Sequence, residues 1–238
     1  MTTDPLRLTR DVDEATARLL DTAAAFDADD VAAPSLLPGW TRGHVLAHLA
    51  RNADGFVNLL TAARTGETIP MYAGTAARTH DIESGAARPP AEHLTDLRRC
   101  SERFAEAVAA MPPQAWAADV QTRRGPWPAA LLVWGRLREI EVHHVDLTAG
   151  YHPDAWSVAF ARRLLHEVAT GLTTRTDAPA MVLRFDGGAH ETTVGDRADA
   201  PHVQGPAHEL AAWLIGRSRG DLLTVVPDGP LPTPPEWI

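Results

Sequence analysis

The stretch REIEVHHVDL, residues 138–147, closes a helical pattern that starts after Pro128 and stops before Gly150. Proline suits the first turn of a helix and glycine the position after its end, so both bounds agree with the pattern. Inside the stretch, Glu139 and His143 are four residues apart, which places a carboxylate and an imidazole on one face of the helix. Such a pair can bind one metal ion. The stretch therefore predicts a helix that supplies half of a metal site.

A second acidic and imidazole pair lies in the same stretch. Glu141 and His144 are three residues apart, a spacing that carboxylate-bridged helical bundles use for metal ligands. Gly135, one turn before Glu139, leaves space above the first pair and favours it. Spacing alone leaves both pairs open, and a solvated helix face without a metal is a third possibility.

An earlier helical pattern supplies a further candidate ligand. It runs from Thr41, a good N-cap residue, to Ala63, and Gly66 ends it. At about 100° per residue, His48 lies roughly 90° from the centre of the apolar stripe and His44 roughly 130° away, so His48 is the better inward candidate. The stripe consists of Val45, Leu49, Phe56 and Leu60.

Two imidazoles and one carboxylate form a ligand set with a definite chemistry. On tetrahedral zinc this set leaves one position open, which is the arrangement of catalytic rather than structural sites. Non-haem Fe(II) accepts the same set. A lone histidine beside an apolar stripe is more often a hydrogen-bonded structural residue, so the case for His48 depends on the pair in the later helix.

The remaining patterns predict a four-helix bundle in the first part of the chain. Apolar residues at helical spacing give four helices of bundle length. The polar stretch at residues 67–90 predicts a long loop or lid, with a short helix at 75–83. The four predicted helices cover residues 6–26, 41–63, 91–110 and 128–147.

The second part of the chain has a different pattern. Short β-type runs around Asp186-Gly187-Gly188 predict a hairpin, and helical stretches flank them. A boundary near Gly150 separates a metal-binding four-helix bundle, residues 1–150, from a small α+β domain, residues 151–238. The predicted elements of this domain are a helix at 155–172, strands at 180–185 and 191–194, a helix at 206–217 and a strand at 222–226.

Composition excludes several classes of function. The net charge of −9 argues against a broad nucleic-acid surface. All 22 basic residues are arginine, and without lysine there is no Schiff-base chemistry. Cys100 is the sole cysteine, which excludes an intramolecular disulfide and a thiolate-rich zinc site, and it is expected to be a packed structural thiol. With neither a signal-peptide layout nor a long apolar run, a soluble cytoplasmic protein without a membrane partner is expected.

Several segments together resemble a known family. LPGWTRGHVLAH at residues 37–48 and the stretch 138–147 resemble the mycothiol-dependent maleylpyruvate isomerases, within the wider class of DinB-like metal-binding bundles. ETIPMY at 67–72, Arg78 after it and PTPPEWI at 232–238 resemble the isomerase subgroup itself. The resemblance covers nearly the whole chain. It implies a DinB-like four-helix bundle followed by a sterol-carrier-like α+β domain.

The resemblance also implies a ligand set and active-site arginines. The zinc ligands of the family match His48, Glu139 and His143, which selects the first acidic and imidazole pair. A catalytically important arginine in a Gly-Arg pair matches Arg217, with Arg219 as a neighbour that keeps the assignment open. A second family arginine, in the loop after the second bundle helix, matches Arg78. Asp146, one turn beyond the ligand histidine, is a candidate hydrogen-bond partner for it or a charge at the helix end.

The implied reaction is the cis–trans isomerisation of maleylpyruvate to fumarylpyruvate in gentisate breakdown, with mycothiol as a thiol cofactor. A thiolate can add to the C=C bond, allow rotation about the resulting single bond and then depart. A metal with an open position would lower the pKa of that thiol, and Arg217 and Arg78 would hold the dicarboxylate substrate and its developing charge. The mycothiol-contacting residues are not predicted.

Two other classes of function remain open at this point. One keeps the bundle and the metal but changes the reaction, as in another mycothiol S-transferase or a metal-dependent hydrolase. The other is a non-enzymatic carrier whose second domain binds an apolar ligand. If the protein is a carrier, we expect that it binds no metal and that replacement of His48 has no effect on its function.

Overall fold

Long amphipathic helices form a bundle in the first part of the protein. The computed structural model describes residues 4–123 and 125–237. The helices of this part are α1 (Pro5–Ala24), α2 (Ala28–Ala32), α3 (Arg42–Thr65), α4 (Thr75–Ala86), α5 (Pro90–Ala109) and α6 (Leu132–Asp146). Both α1 and α3 pack against α5 and α6.

Helix α3 has well-defined ends. The Thr41 hydroxyl accepts a hydrogen bond from the backbone N–H of His44, and the His44 ring accepts one from the backbone N–H of Thr41. Gly66 ends the helix with φ +76°, a conformation that glycine adopts without steric cost. Both ends agree with the prediction, so the start and the end of α3 follow from its sequence.

Helix α4 is longer and more tightly packed than the predicted loop with a short helix. It packs directly on α3, where a Cβ atom at Gly43 would lie 2.0 Å from the carbonyl oxygen of Ala86. Gly85 likewise faces Ala47 at short distance. Small residues let these two helices approach closely. Hydrophobic periodicity detects a helix by its stripe of bulky apolar residues, so it did not predict that this polar segment forms a packed helix.

A β-hairpin that the sequence patterns did not predict precedes α6. It consists of β1 (Asp119–Thr122) and β2 (Gly125–Pro128), paired antiparallel with Val120 opposite Trp127. Each strand has only four residues, too few for a clear alternation of apolar and polar positions. The hairpin places Trp127 against α6.

The second compact unit begins at Gly150. Strand β3 pairs antiparallel with β4 as the predicted hairpin and parallel with β5, and the sheet order is β4-β3-β5-β6. The short β5 was not predicted, and the last helix ends before Gly216 rather than at Arg217. The elements are α7 (Val158–Thr173), β3 (Met181–Phe185), β4 (His190–Val194), β5 (His202–Gln204), α8 (Ala207–Leu214) and β6 (Thr224–Val226).

The observed architecture confirms the predicted fold class, a helical bundle followed by a small α+β unit. Among the described residues, every helix is too short or too polar to cross a lipid bilayer.

Candidate metal centre

Three side chains from α3 and α6 converge on one point. The Nε2 atom of His48 lies 3.1 Å from Oε2 of Glu139 and 3.1 Å from Nε2 of His143. Nε2 of His143 lies 3.5 Å from the same Glu139 oxygen. His48 is buried, whereas the other two side chains are 22% and 17% exposed, so the cluster can be reached from solvent.

The spacing of these atoms fits a small divalent ion. Zinc bonds of about 2.0–2.1 Å in tetrahedral geometry separate neighbouring ligand atoms by roughly 3.3 Å. The observed separations, between 3.1 and 3.5 Å, bracket that value. Two imidazole nitrogens and one carboxylate oxygen at these distances can all bind one ion once their protons are displaced, and the set contains no thiolate. The residues present therefore fit a first-row divalent metal with room for a further ligand.

His44, the other histidine of the α3 motif, has a different function. Its Nδ1 caps the start of α3, and its Nε2 lies 3.2 Å from Oε2 of Glu83 on α4. Both ring nitrogens therefore have partners away from the cluster. The angular argument that preferred His48 agrees with this geometry.

The alternative pair on α6 faces α1 instead of α3. Glu141 accepts a hydrogen bond of 2.8 Å from Arg18, and Nε2 of His144 lies 2.8 Å from the hydroxyl of Thr22. The two side chains help to attach α6 to α1. The structure thus brings Glu139 and His143 to His48 and directs Glu141 and His144 elsewhere.

Gly135 does not leave open space above the cluster. A Cβ atom there would lie 2.9 Å from the Trp127 ring and 3.0 Å from Phe56. The two aromatic rings fill the volume that the missing side chain provides. The reason for favouring the first pair from Gly135 was therefore wrong, although the geometry favours the same pair.

The charge state of His143 is set by its neighbours. Its Nδ1 lies 2.7 Å from Oδ2 of the fully buried Asp146, the partner that the sequence suggested. Burial opposes the charged ring, but hydrogen bonds to Asp146 and Glu139 outweigh it and raise the pKa of His143 to about 9. A carboxylate on Nδ1 also fixes the ring so that Nε2 points at the cluster.

His48 and Glu139 are shifted in the direction that favours ligation. Burial, aided by the positive charge of His143, lowers the pKa of His48 to about 4. Burial alone would raise the pKa of Glu139, but hydrogen bonds to His143 and His48 hold it well below its ordinary value. At neutral pH His48 is uncharged and Glu139 is ionised, which is the state that a metal requires.

The affinity for metal is expected to increase with pH, because binding of one ion displaces one proton from the protein. At neutral pH only His143 holds a proton that ligation must displace, so the apparent affinity for Zn²⁺ should increase about tenfold per pH unit up to about pH 9. Competition with a chelator of known proton affinity, at several pH values from about 6 to about 8, measures this slope. A slope of zero, or of two protons, would contradict the assignment of charges.

Arg78 from α4 contacts the cluster. Its Nη2 donates a hydrogen bond of 3.0 Å to Nδ1 of His48. Its guanidinium carbon lies 5.7 Å from the centre of the Tyr72 ring. The structure therefore brings this predicted arginine to the metal cluster, with one nitrogen of His48 facing the ligand group and the other facing Arg78.

Two aromatic residues beside the cluster, Trp40 and Tyr72, have no role predicted from the sequence. The Trp40 ring lies 5.7 Å from the ring of His48. Tyr72 packs where Gly55 has no side chain, since a Cβ there would lie 3.1 Å from the tyrosine ring. Burial raises the pKa of the Tyr72 hydroxyl, and the charge of Glu139 adds to the shift. The sequence signal for the position of Tyr72 was Gly55 on α3. Gly55 is one turn before Asn58, whose side-chain amide donates a hydrogen bond to the carbonyl of Met71.

Comparison with known proteins places the chain in a family. The mycothiol maleylpyruvate isomerase N-terminal domain model matches residues 12–148, more than half of the chain. The chain belongs to the mycothiol maleylpyruvate isomerase family. The MDMPI C-terminal domain model matches residues 155–236. The resemblance seen in the sequence motifs is confirmed.

Two solved structures resemble this family member over its whole length. They are crystal structures of the mycothiol-dependent maleylpyruvate isomerase and of a histidine-to-alanine mutant. Each is 28% identical, covers 100% of both chains and has a TM-score of 0.92. Comparison with curated protein sequences gave no match.

Arg217 lies in the part matched by the C-terminal domain of the family. It follows Gly216, which has φ +74°, and its Nη1 donates a hydrogen bond of 2.7 Å to the carbonyl of Ile215. Its guanidinium lies 6.0 Å from the ring of Trp237 in the terminal motif. Arg219 is exposed, whereas Arg217 is half-buried and oriented by these contacts. Of the two arginines, Arg217 is therefore the less exposed one, and its guanidinium is held by these contacts.

The sole cysteine of the sequence, Cys100, does not have the surroundings of a reactive thiolate. Cys100 is fully buried on α5, and its thiol donates to the carbonyl of Leu97. Burial raises the pKa of Cys100, which disfavours the thiolate that a nucleophile needs. Cys100 is therefore poorly suited to act as a nucleophile.

Proposed function

We propose that this protein catalyses the cis–trans isomerisation of maleylpyruvate to fumarylpyruvate with mycothiol as cofactor, in gentisate breakdown. The same proposal assigns a zinc ion to His48, Glu139 and His143. One observation carries it: three ligand atoms converge within 3.5 Å in a member of the mycothiol maleylpyruvate isomerase family. Both solved structures matched over the full length are of the mycothiol-dependent isomerase.

The two bound groups would supply the covalent chemistry. A bound metal would lower the pKa of the mycothiol thiol, and reversible addition of that thiol to the C=C bond would permit rotation about a single bond. His48, Glu139 and His143 would hold the metal with three protein ligands. The Asp146 carboxylate accepts a hydrogen bond from the Nδ1–H of His143 and so keeps its Nε2 directed at the cluster.

Arg78 is proposed to bind a carboxylate of the substrate. Maleylpyruvate is a dianion, and a guanidinium stays charged and can bind a carboxylate through two parallel hydrogen bonds. Arg78 donates to Nδ1 of His48, a contact that a neutral ring can keep only while its proton is on Nε2. A His48 ring that bound metal through Nε2 would carry its proton on Nδ1, and the Arg78 donor would then be available to the substrate.

On the basis of the family resemblance, Arg217 is proposed as a second catalytic cation. Its orientation by the Ile215 carbonyl and the Trp237 ring prepares a fixed charge, which stabilises a developing enolate better than a mobile one. The aromatic rings of Trp40 and Tyr72 would limit water around the reacting carbons and so strengthen these electrostatic interactions.

The decisive experiment is isomerisation with and without mycothiol. Purified zinc-loaded protein should convert maleylpyruvate to fumarylpyruvate at least about 10²-fold faster with mycothiol than without, followed by the change in absorbance. S-methyl mycothiol, which keeps the sugar but has no thiol, is the matched control and should give the rate without cofactor. Equal rates in all three mixtures would refute the thiol-dependent function.

A further inference from the structure

Arg136 is a charged residue in the interior of the bundle with no assigned function. It lies on α6 and is 1% exposed. Its Nη1 donates hydrogen bonds of 2.8 Å to the carbonyl of Leu49 and 2.9 Å to Oδ1 of Asn52, both on α3. The side chain is therefore a direct polar link between the two helices that carry the metal cluster.

The link lies immediately beside the cluster. Leu49 follows His48 in the chain and Asn52 is one turn beyond it, while Arg136 is one turn before Glu139. At the other side of the cluster, Arg42 of α3 donates a hydrogen bond of 2.7 Å to the carbonyl of Leu147, just after α6. Two arginine links thus bracket the ligands along the antiparallel pair α3 and α6.

Bundle stability alone does not explain a guanidinium at this position. Among the described residues, no carboxylate forms an ion pair with Arg136, and its buried Nη2 has no hydrogen-bond partner. Burying a charge in this way is costly, and an apolar side chain of similar volume is often equal or better for stability. What an apolar residue cannot do is hold the Leu49 carbonyl at a fixed distance from α6.

We infer that Arg136 is a positioning residue of the metal centre: it fixes the separation of α3 and α6 at which His48 meets Glu139 and His143. The inference rests on the proposed metal site but not on the proposed reaction. Ligand atoms must lie within a few tenths of an ångström of their ideal places for full affinity, so a small change in helix separation is felt directly.

Cobalt binding tests the inference without any measurement of isomerase activity. In Arg136→Met, the affinity for Co²⁺ should fall about 10- to 100-fold and the visible d–d absorption should change, because the ligands no longer meet at the same distances. The melting temperature of the metal-free variant should be equal to or above that of wild type. Arg136→Lys, which retains one donor, should restore part of the affinity.

A matched control removes a different arginine link of α3. Arg51 donates to both carboxylate oxygens of Asp96, at 2.8 Å each, and so connects α3 to α5 instead of α6. Arg51→Met should lower the melting temperature of the metal-free protein and leave the cobalt affinity and spectrum unchanged. Asn52→Ala, which removes one acceptor of the Arg136 link, serves if Arg136→Met does not fold, and it should lower the affinity in the same direction.

The outcomes separate this inference from the metal site itself. Wild-type cobalt affinity and spectrum in Arg136→Met, or in Asn52→Ala if that variant replaces it, would overturn the positioning function while the site stands. Equal loss of affinity in Arg51→Met would also overturn it, because any loosening of α3 would then suffice. Failure of the wild-type protein to bind cobalt would refute the site and the inference together.

Discussion

Alanine in place of His48, Glu139 or His143 is expected to abolish stoichiometric metal binding and to lower kcat/KM by about 10³-fold. Each side chain supplies one of three ligand atoms that lie 3.1 to 3.5 Å apart, and a site with two remaining protein ligands binds metal much more weakly. Metal content by mass spectrometry, together with the mycothiol-dependent isomerisation rate, measures both effects.

Helix α6 provides its own matched controls for this experiment. Glu141 and His144 are the same residue types on the same helix, but they contact Arg18 and Thr22 of α1. Glu141→Ala and His144→Ala should retain the metal, with some loss of stability. Full metal retention in all three cluster variants, or loss of metal in the controls alone, would remove the proposed site.

Replacement of Arg78 by methionine is expected to lower kcat/KM by about 10²- to 10³-fold with metal content unchanged. The variant loses the guanidinium proposed to bind a substrate carboxylate, but it keeps the three ligand side chains. Steady-state kinetics at saturating mycothiol, with metal analysis of the same preparation, separates the two properties. Arg78→Lys should recover only part of the rate, because an ammonium group cannot form the two parallel hydrogen bonds of a guanidinium.

Arg88, which lies between α4 and α5, is the control for a general loss of positive charge. It forms an ion pair of 3.2 Å with Asp96 of α5, whereas Arg78 contacts a ligand of the cluster. Arg88→Met should leave kcat/KM close to wild type. Equal activity of Arg78→Met and wild type would contradict the assigned role, and so would an equal decrease in both arginine variants.

The bundle helices could be predicted from sequence because their signals are local. Apolar stripes define α1, α3 and α5, and Thr41 and Gly66 set the ends of α3 through capping and a left-handed glycine. His48 could also be selected, since the angular argument needs only the stripe on its own helix. These features depend on neighbours within one or two turns.

The choice between the two acidic pairs could not be predicted from spacing, and α6 shows why. The helix is buried on nearly all sides, so both Glu139 and Glu141 point toward neighbouring helices and no polar face distinguishes them. Only the partners decide: α3 brings His48 to one face and α1 brings Arg18 to the other. Family resemblance supplied the answer that periodicity lacked.

Close packing of small residues explains the other differences. Gly43 and Gly85 admit α4 onto α3, and Gly55 admits Tyr72, but a glycine in a helical pattern carries no mark of what will occupy its space. The same holds for Gly135, whose place is filled by Trp127 from a hairpin too short to be recognised. Contacts of this kind follow from tertiary structure, not from local pattern.

The burial of Cys100 simplifies the chemistry that can be followed in solution. Because the sequence has a single cysteine and its thiol is buried in the folded protein, thiol-alkylating reagents such as iodoacetamide should find no competing thiol on the chain. The alkylation rate of mycothiol in the presence of native protein then reports only the cofactor sulfur. A direct readout of thiol ionisation is thus available before any substrate is added.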